Sequence, residues 1–371
     1  MSPASAAPPP TYERPYTSPR PRGGFLLVAC PGGAEEELCR RQRELLPALQ
    51  RGAWRRGVVT FRLPAGFDPP DDFFPDLVFA RAVIRSLGQV TAATTAKLVA
   101  AATALAGAAD WDNVHVFPRD PRAETDVSAI RHALLEACAL PADAPAIAAP
   151  GDRVLDCVID TPDRWWVGWH RATSPPSRWP GGMYPVPLPA DKVSRAWLKL
   201  DEAIATFGIP LGHGERACEL GGAPGGSCQR LLEAGLHVVG VDPALVDERV
   251  AAQSRFTHWR KRSRDVKLRD FRGFDWIVSD MNIDPVSTLE ALGRVVTAPG
   301  VRPKGIVATL KLPAWSRAEA LPAWLATFRG WGYAPQARHL STGGRELCVY
   351  AERAGRPRST TRRRATRRPG R

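Results

Sequence analysis

One run of residues constrains this chain more than any other: Glu219-Leu220-Gly221-Gly222-Ala223-Pro224-Gly225-Gly226, with Val241-Asp242 following roughly twenty residues later. An acidic residue ends an apolar strand, a glycine-rich turn follows, and a helix begins near Ser227. A second apolar run, His237-Val238-Val239-Gly240-Val241, ends on the carboxylate of Asp242. Together they form the front half of a nucleotide-binding βαβ unit, in which bare backbone approaches a ligand and the second carboxylate chelates ribose hydroxyls. Neither a dinucleotide nor a triphosphate suits this turn. It holds no G-x-G-x-x-G, and its G-x-x-x-x-G from Gly221 to Gly226 is followed by Ser227 rather than the lysine of a phosphate loop. Pro224 also removes an N–H from the loop. A cofactor with a ribose and no phosphate fits better, and S-adenosyl-L-methionine is the commonest of that kind. The alternative is a glycine turn serving only strand–helix packing.

Further elements supply chemistry. Ser194-Arg195-Ala196-Trp197-Leu198-Lys199-Leu200-Asp201-Glu202 has the periodicity of an amphipathic helix entering the sheet. Phe274–Met281 is an apolar strand ending on Asp280, and Gly305–Pro313 a strand ending on Lys311. Glu346 stands at the start of a last strand, in Gly344-Arg345-Glu346-Leu347. Ligands of open α/β sheets bind outside the carboxyl ends of the parallel strands, so Glu219, Asp242, Asp280 and Lys311 should converge on one crevice. The apolar residues beside Lys311 imply partial burial, and burial next to a second cation, Lys199, lowers a lysine pKa toward neutrality. Held by Asp280 and Glu346, such a lysine can accept a proton from a ribose hydroxyl attacking a methyl sulfonium. The competing reading is four unrelated surface charges. Base amino methylation would need an Asn/Asp-Pro-Pro-aromatic motif where this chain reads Ser279-Asp280-Met281-Asn282. Cytosine C5 methylation needs a nucleophilic cysteine, usually one following proline, and none of the seven cysteines does.

The glycine turn, S-R-A-W-L-K-L-D-E, S-D-M, L-K-L-P and G-R-E-L together resemble the FtsJ-type RNA 2'-O-ribose methyltransferases. The resemblance implies a Rossmann-like, S-adenosyl-L-methionine-dependent α/β domain over residues 190–352, with a catalytic tetrad of Lys199, Asp280, Lys311 and Glu346. It implies cofactor contacts from Ser194, Glu219, Gly221, Gly222, Ala223, Pro224, Gly225, Gly226, Asp242 and Asp280. Asp265, in the short segment after the strand Phe256–Arg260, resembles the family's acidic adenine contact, though its Arg-rich flanks also suit a solvated loop. Two positions depart from the family pattern: Glu219 stands where Asp is usual, and Cys228 where bulkier residues are common.

The 371 residues hold two or three domains. No apolar run approaches the roughly 20 residues needed to span a bilayer, and residues 1–22 form a Pro-rich leader without a signal-peptide core, read as disordered. Seven cysteines without a C-x-x-C suit a reduced, cytoplasmic protein, and no histidine cluster stands beside them at zinc spacing, so no metal is expected. The net charge of +13 points to a polyanion, but nine of those charges are arginines in residues 353–371. That tail is expected to be disordered, either binding RNA phosphates or serving as a solubilising appendage.

Ahead of the catalytic domain two small α/β modules are expected. In residues 23–92 the pattern gives a strand over Phe25–Cys30, a helix over Ala34–Leu46, a strand over Gly57–Leu63, a short helix over Phe74–Arg81 and a strand near Ala82–Val90. Residues 93–180 give helices at Ala93–Ala106 and Thr125–Ala139, with strands at Val114–Phe117, Val154–Ile159 and Trp165–Arg171. Pro31-Gly32 with Glu35 to Glu37, Phe79-Ala80-Arg81, Gly168 and the run from Pro185 to Arg195 resemble the RlmM-type 23S rRNA 2'-O-ribose methyltransferases. That likeness implies a ferredoxin-like module, then a THUMP-like RNA-binding module, and a cytidine ribose in large-subunit rRNA as target, with the protein acting as a monomer. Another RNA such as tRNA, or a non-catalytic RNA-binding or ribosome-assembly role, stands as the alternative. Trp165, Trp166 and Trp169 either line the junction between modules or stack on bases.

Overall fold

The protein is described by a computed structural model over residues 24–355; the leader, and the tail beyond residue 355, lie outside the described residues. The N-terminal half contains β1 (Phe25–Ala29), α1 (Glu35–Leu45), β2 (Gln50–Arg55), β3 (Val58–Arg62), β4 (Ala82–Thr91), α2 (Thr95–Ala106), β5 (Asn113–Pro118), α3 (Val127–Ala137), β6 (Arg153–Thr161) and β7 (Arg164–Arg171). Thr94 and Asp126 start α2 and α3 by accepting from the backbone N–H groups of Lys97 and Ala129. The seven strands make one sheet, β2-β3-β1-β4-β7-β6-β5. The ten-residue β4 joins its halves: Ala82–Ser86 pair with β1, and Arg85–Thr91 with β7. The two expected modules therefore share a sheet, and the boundary placed after residue 92 falls at the end of this common strand. β2 went unread because Gln-Arg-Gly-Ala-Trp-Arg is an exposed edge strand with no apolar face.

All three tryptophans of β7 are buried. Trp165 and Trp169 face α2 and α3, while Trp166 packs on the other face with Leu27, Val58 and Phe117. Their burial removes the base-stacking alternative, and Trp166 sits where strands of both expected modules meet.

The C-terminal half runs α4 (Arg195–Phe207), β8 (Arg216–Leu220), α5 (Gly226–Glu233), β9 (His237–Val241), α6 (Glu248–Ala251), β10 (Phe256–Trp259), β11 (Trp276–Ser279), α7 (Pro285–Val296), β12 (Gly305–Lys311), α8 (Leu321–Gly330), β13 (Tyr333–Arg338) and β14 (Glu346–Arg353). Its sheet order is β10-β9-β8-β11-β12-β14-β13, parallel through β12 with β14 antiparallel to both neighbours. This is a Rossmann-like α/β layer whose strand order reverses beside β8, which places a ligand crevice between the carboxyl ends of β8 and β11.

The segment Phe74–Arg81 is not the expected helix. Two of its backbone carbonyls bond to the second sheet instead of to a helical ladder. Val78 O accepts from His339 N at 2.9 Å, and Ala80 O from the Arg338 guanidinium at 2.8 Å. Leu77, Val78, Phe79 and Ala80 are buried, in a hydrophobic core that runs on to Leu220, Ile277, Ile306 and Leu312.

Candidate active site

Register explains how the charged side chains meet. β14 enters antiparallel beside β12, so its first residue, Glu346, lies directly across from Lys311, the last residue of β12. Asp280 follows the end of β11, the strand on the other side of β12. Lys199 reaches the same point from α4, whose Trp197, Leu200 and Ala203 face inward. The result is a closed ring. Lys311 Nζ lies 2.5 Å from Glu346 Oε2 and 2.9 Å from Asp280 Oδ1. Lys199 Nζ donates to Asp280 Oδ2 and lies 3.3 Å from Glu346 Oε1. Each cation touches both carboxylates, and the four side chains are only 11–22% exposed.

This geometry corrects the expected charge state of Lys311. Burial does work against the ammonium, but the charge of Asp280 and the hydrogen bonds to Glu346 and Asp280 outweigh it, and the lysine pKa is raised rather than lowered. Two carboxylates within ion-pair distance counter the second lysine, which sequence spacing alone did not weigh.

The glycine turn lies beside the ring. Gly221 and Gly225 have φ of +86° and +116°, which only glycine adopts readily. A Cβ on Gly226 would overlap Ser194 Oγ and approach the Trp197 amide nitrogen to 2.9 Å, so α5 starts flush against the start of α4. Ser194 caps α4 by accepting from Ala196 N. Asp242 accepts from Ala223 N at 3.3 Å and Ala244 N at 2.8 Å, tying the turn to the end of β9. Glu219 is 2% exposed and takes the Cys228 thiol as a donor at 2.8 Å. Its desolvation, opposed by hydrogen bonds from Cys228 and Ser227, raises its pKa to about 7. Cys228, a departure from the family pattern, is thus the partner of Glu219, the other departure. Asp265 stands apart: it is exposed past β10 and forms no hydrogen bond or ion pair with the turn or Asp242 among the described residues. A Gly225→Val change would strike Val246 and Val250 around α6 as well as any ligand.

These features fit S-adenosyl-L-methionine. Bare backbone lies next to a strand-end carboxylate, and the turn offers no cation to hold a phosphate.

Two supporting groups escaped sequence reasoning. Glu202, 2% exposed on α4, accepts from Ser341 N, Thr342 N and Thr342 Oγ1 at 2.7–2.8 Å, fixing the loop that delivers Glu346. Asp201 accepts from Arg230 Nε and Tyr184 OH, each at 2.6 Å. In the N-terminal sheet, His115, Asp156 and His170 bring three buried donor groups within 4.8 Å of one another. They come from three adjacent strands, a juxtaposition no linear spacing reveals. His170 already spends its nitrogens on Asp156 at 2.5 Å and the Ser177 carbonyl at 2.6 Å, locking the following linker to the sheet.

Residues 192–314, which carry Ser194, Lys199, the glycine turn, Asp280 and Lys311, match the FtsJ-like methyltransferase family model. The chain carries an FtsJ-like methyltransferase domain. Ribosomal RNA large subunit methyltransferase M of Halorhodospira halophila is 28% identical over 321 residues, 82% of this chain and 88% of its own length. The enzyme of the same name from Laribacter hongkongensis is 32% identical over 198 residues, 50% of this chain and 54% of its own. That of Azoarcus sp. is 32% identical over 180 residues, 46% and 48% of the two chains. The last two matches span about half of each relative. Among the described residues no helix is long and apolar enough to cross a membrane.

Proposed function

We propose that this protein transfers a methyl group from S-adenosyl-L-methionine to a ribose 2'-hydroxyl of large-subunit ribosomal RNA, at a cytidine, acting as a cytoplasmic monomer. The observation that carries the reading is the closed ring of Lys199, Asp280, Lys311 and Glu346 at the strand ends beside the glycine turn. When bound, the cofactor supplies an electrophilic methyl on a sulfonium. The residues to hold it are the Gly221–Gly226 turn, Asp242 for the ribose hydroxyls, and Glu219 behind the turn, with Ser194 shaping the wall and Asp265 toward the adenine.

The ring's own part is to orient and deprotonate. With the cofactor bound, the ring would hold the ribose 2'-hydroxyl toward the methyl group that the sulfonium supplies, and the hydroxyl proton would go to Lys311 Nζ. Lys311 must first be neutral, so its proton leaves through the Asp280–Glu346 pair. Positive charge placed beside the ring lowers its proton affinity and favours that loss. Lys199 then keeps both carboxylates in place.

Mapping 2'-O-methylation across 23S rRNA from cells with and without the gene tests the reading. One ribose should lose its methyl group in the deletion and regain it with the wild-type gene but not with a Lys311→Ala copy. An unchanged rRNA pattern overturns it, and a lost methyl group in tRNA instead would redirect it.

A further inference from the structure

A second concavity opens beside the ring. It is a cleft of about 540 Å³ between the N-terminal sheet and the methyltransferase sheet, in the range of ligand sites. Its walls come from the Pro31-Gly32 turn, the β2–β3 connection at Arg56-Gly57, the segment after β5, and the Gly343–Arg345 loop. It adjoins the ring through the chain: Arg345 precedes Glu346, its carbonyl accepts from Leu312 N at 2.8 Å, and Leu312 follows Lys311.

The charge is one-sided. Five arginines line the cleft against one acid, Asp120, which Arg122 already pairs at 3.1 Å. Arg81 and Arg119 are committed to the protein, to the Cys30 carbonyl at 2.7 Å and to Asp160 at 2.6 Å. Arg56 and Arg345 are different. Both are exposed, and neither guanidinium has a hydrogen-bond or ion-pair partner among the described residues. The indole of Trp315 lines the same cleft, braced edge-on against Phe79 at 5.9 Å and tilted against His339 at 5.5 Å.

The glycines explain how this surface is kept. A Cβ on Gly32 would come within 2.9 Å of Arg56 Nε, and one on Gly33, with φ of +99°, within 3.0 Å of Trp315 Nε1. Buried Glu35 pins that turn by accepting from Gly33 N at 2.9–3.0 Å and Gly57 N at 2.6 Å. The Pro-Gly-Gly turn and the acid after it, which the methyl-transfer reading does not use, are thus spent on holding a bare floor under a cation and an indole.

We infer that this cleft binds a single-stranded segment of the RNA substrate, with phosphates at Arg56 and Arg345 and a base against Trp315, feeding the target ribose to the ring. The inference rests on the proposed RNA methylation. Unpaired guanidinium groups suit phosphate oxygens, and a fixed aromatic face suits an unstacked base. Single-stranded RNA is favoured over a duplex because the ring side chains are recessed. A ribose within a continuous helix cannot enter such a recess, whereas a splayed nucleotide can.

The test uses the full chain and a fluorescein-labelled single-stranded oligoribonucleotide of roughly 16 nucleotides. The Arg56→Glu/Arg345→Glu double variant should weaken its Kd at least about tenfold and lower the slope of log K against log salt by about 2. Melting temperature and S-adenosyl-L-methionine affinity should stay at wild-type values. A control variant, Arg269→Glu/Arg329→Glu, places the same charge change on exposed residues outside the cleft and should leave the RNA Kd within twofold. Unlabelled single strand should compete with the probe, and a duplex of the same sequence should compete poorly. Equal losses in both variants, an unchanged Kd in the cleft variant, or a duplex that competes equally would each overturn the inference. These outcomes are separate from failure of the methylation itself, which the rRNA mapping reads without any cleft variant.

Discussion

Glu219→Gln should make the stability of this protein less dependent on pH, by an amount the structure supplies. The carboxyl group is 2% exposed, and its pKa rises from 4.5 to about 7 on folding. A group whose folded pKa is raised stabilises the fold fully below its unfolded pKa and loses that contribution as pH rises through the folded value. Between pH 4.5 and about 7 the folded state keeps a proton that the unfolded state releases. At 1.36 kcal/mol per pKa unit, wild type should lose about 3 kcal/mol relative to the variant across that window, with no further change above it. The neighbouring Cys228 thiol is held well above its usual pKa by burial and by Glu219, so it remains protonated throughout and does not contribute. Urea unfolding of both proteins in parallel at pH 5, 6, 7 and 8 measures the difference, because all other titrating groups are common to the pair. A difference that stays flat across that series would show that Glu219 is ionised in the fold, and would refute the claim that burial governs it.

Other expectations concern the ring and its supports. Lys311→Ala and Lys311→Arg should each reduce kcat at least about 10²-fold with cofactor affinity unchanged, because arginine cannot become neutral; near-normal turnover of the arginine variant would make Lys311 a fixed cation. Since the raised pKa of Lys311 keeps it charged, wild-type turnover should climb with pH above neutrality, and a flat single-turnover profile from pH 7 to 9 would exclude it as the base. Gly226→Ala should cost about 2 kcal/mol by overpacking the Ser194–Trp197 turn, seen as a lower Tm. Glu202→Gln should weaken the charge-assisted bonds from Ser341 and Thr342, costing about 2 kcal/mol and lowering kcat more than KM.

What the sequence disclosed, and what it hid, follows the range of the interactions. Strand-end residues are legible because a short apolar run and its terminal charge are adjacent in the chain; this is how Glu219, Asp242, Asp280 and Lys311 came to be placed at one edge. The charge state of Lys311 was misjudged because it depends on distances to Asp280 and Glu346 that no local pattern encodes. Glu202 was passed over because one acid on an amphipathic helix looks like any solvated face, and only the fold brings the residue 341–342 amides to it. Phe74–Arg81 misled for a related reason. Its apolar residues are dense enough for a helix, but they serve a contact between sheets.

The alternation of sign around the ring has a consequence for long-range forces. Two cations and two anions at the corners of a small closed circuit have no net charge, and their opposed dipoles largely cancel, so the leading field is that of a quadrupole. Such a field fades much faster with distance than that of a single charge, and salt screens what remains within about 10 Å. A passing phosphate is therefore neither drawn to the ring nor repelled by it. Removing Lys311 turns the quadrupole into a bare negative charge, and RNA approaching that site meets repulsion as well as a missing base. Paired neutral replacements, Lys311→Met with Glu346→Gln, remove the base while keeping the total charge at zero, and set against Lys311→Met alone they separate these two effects.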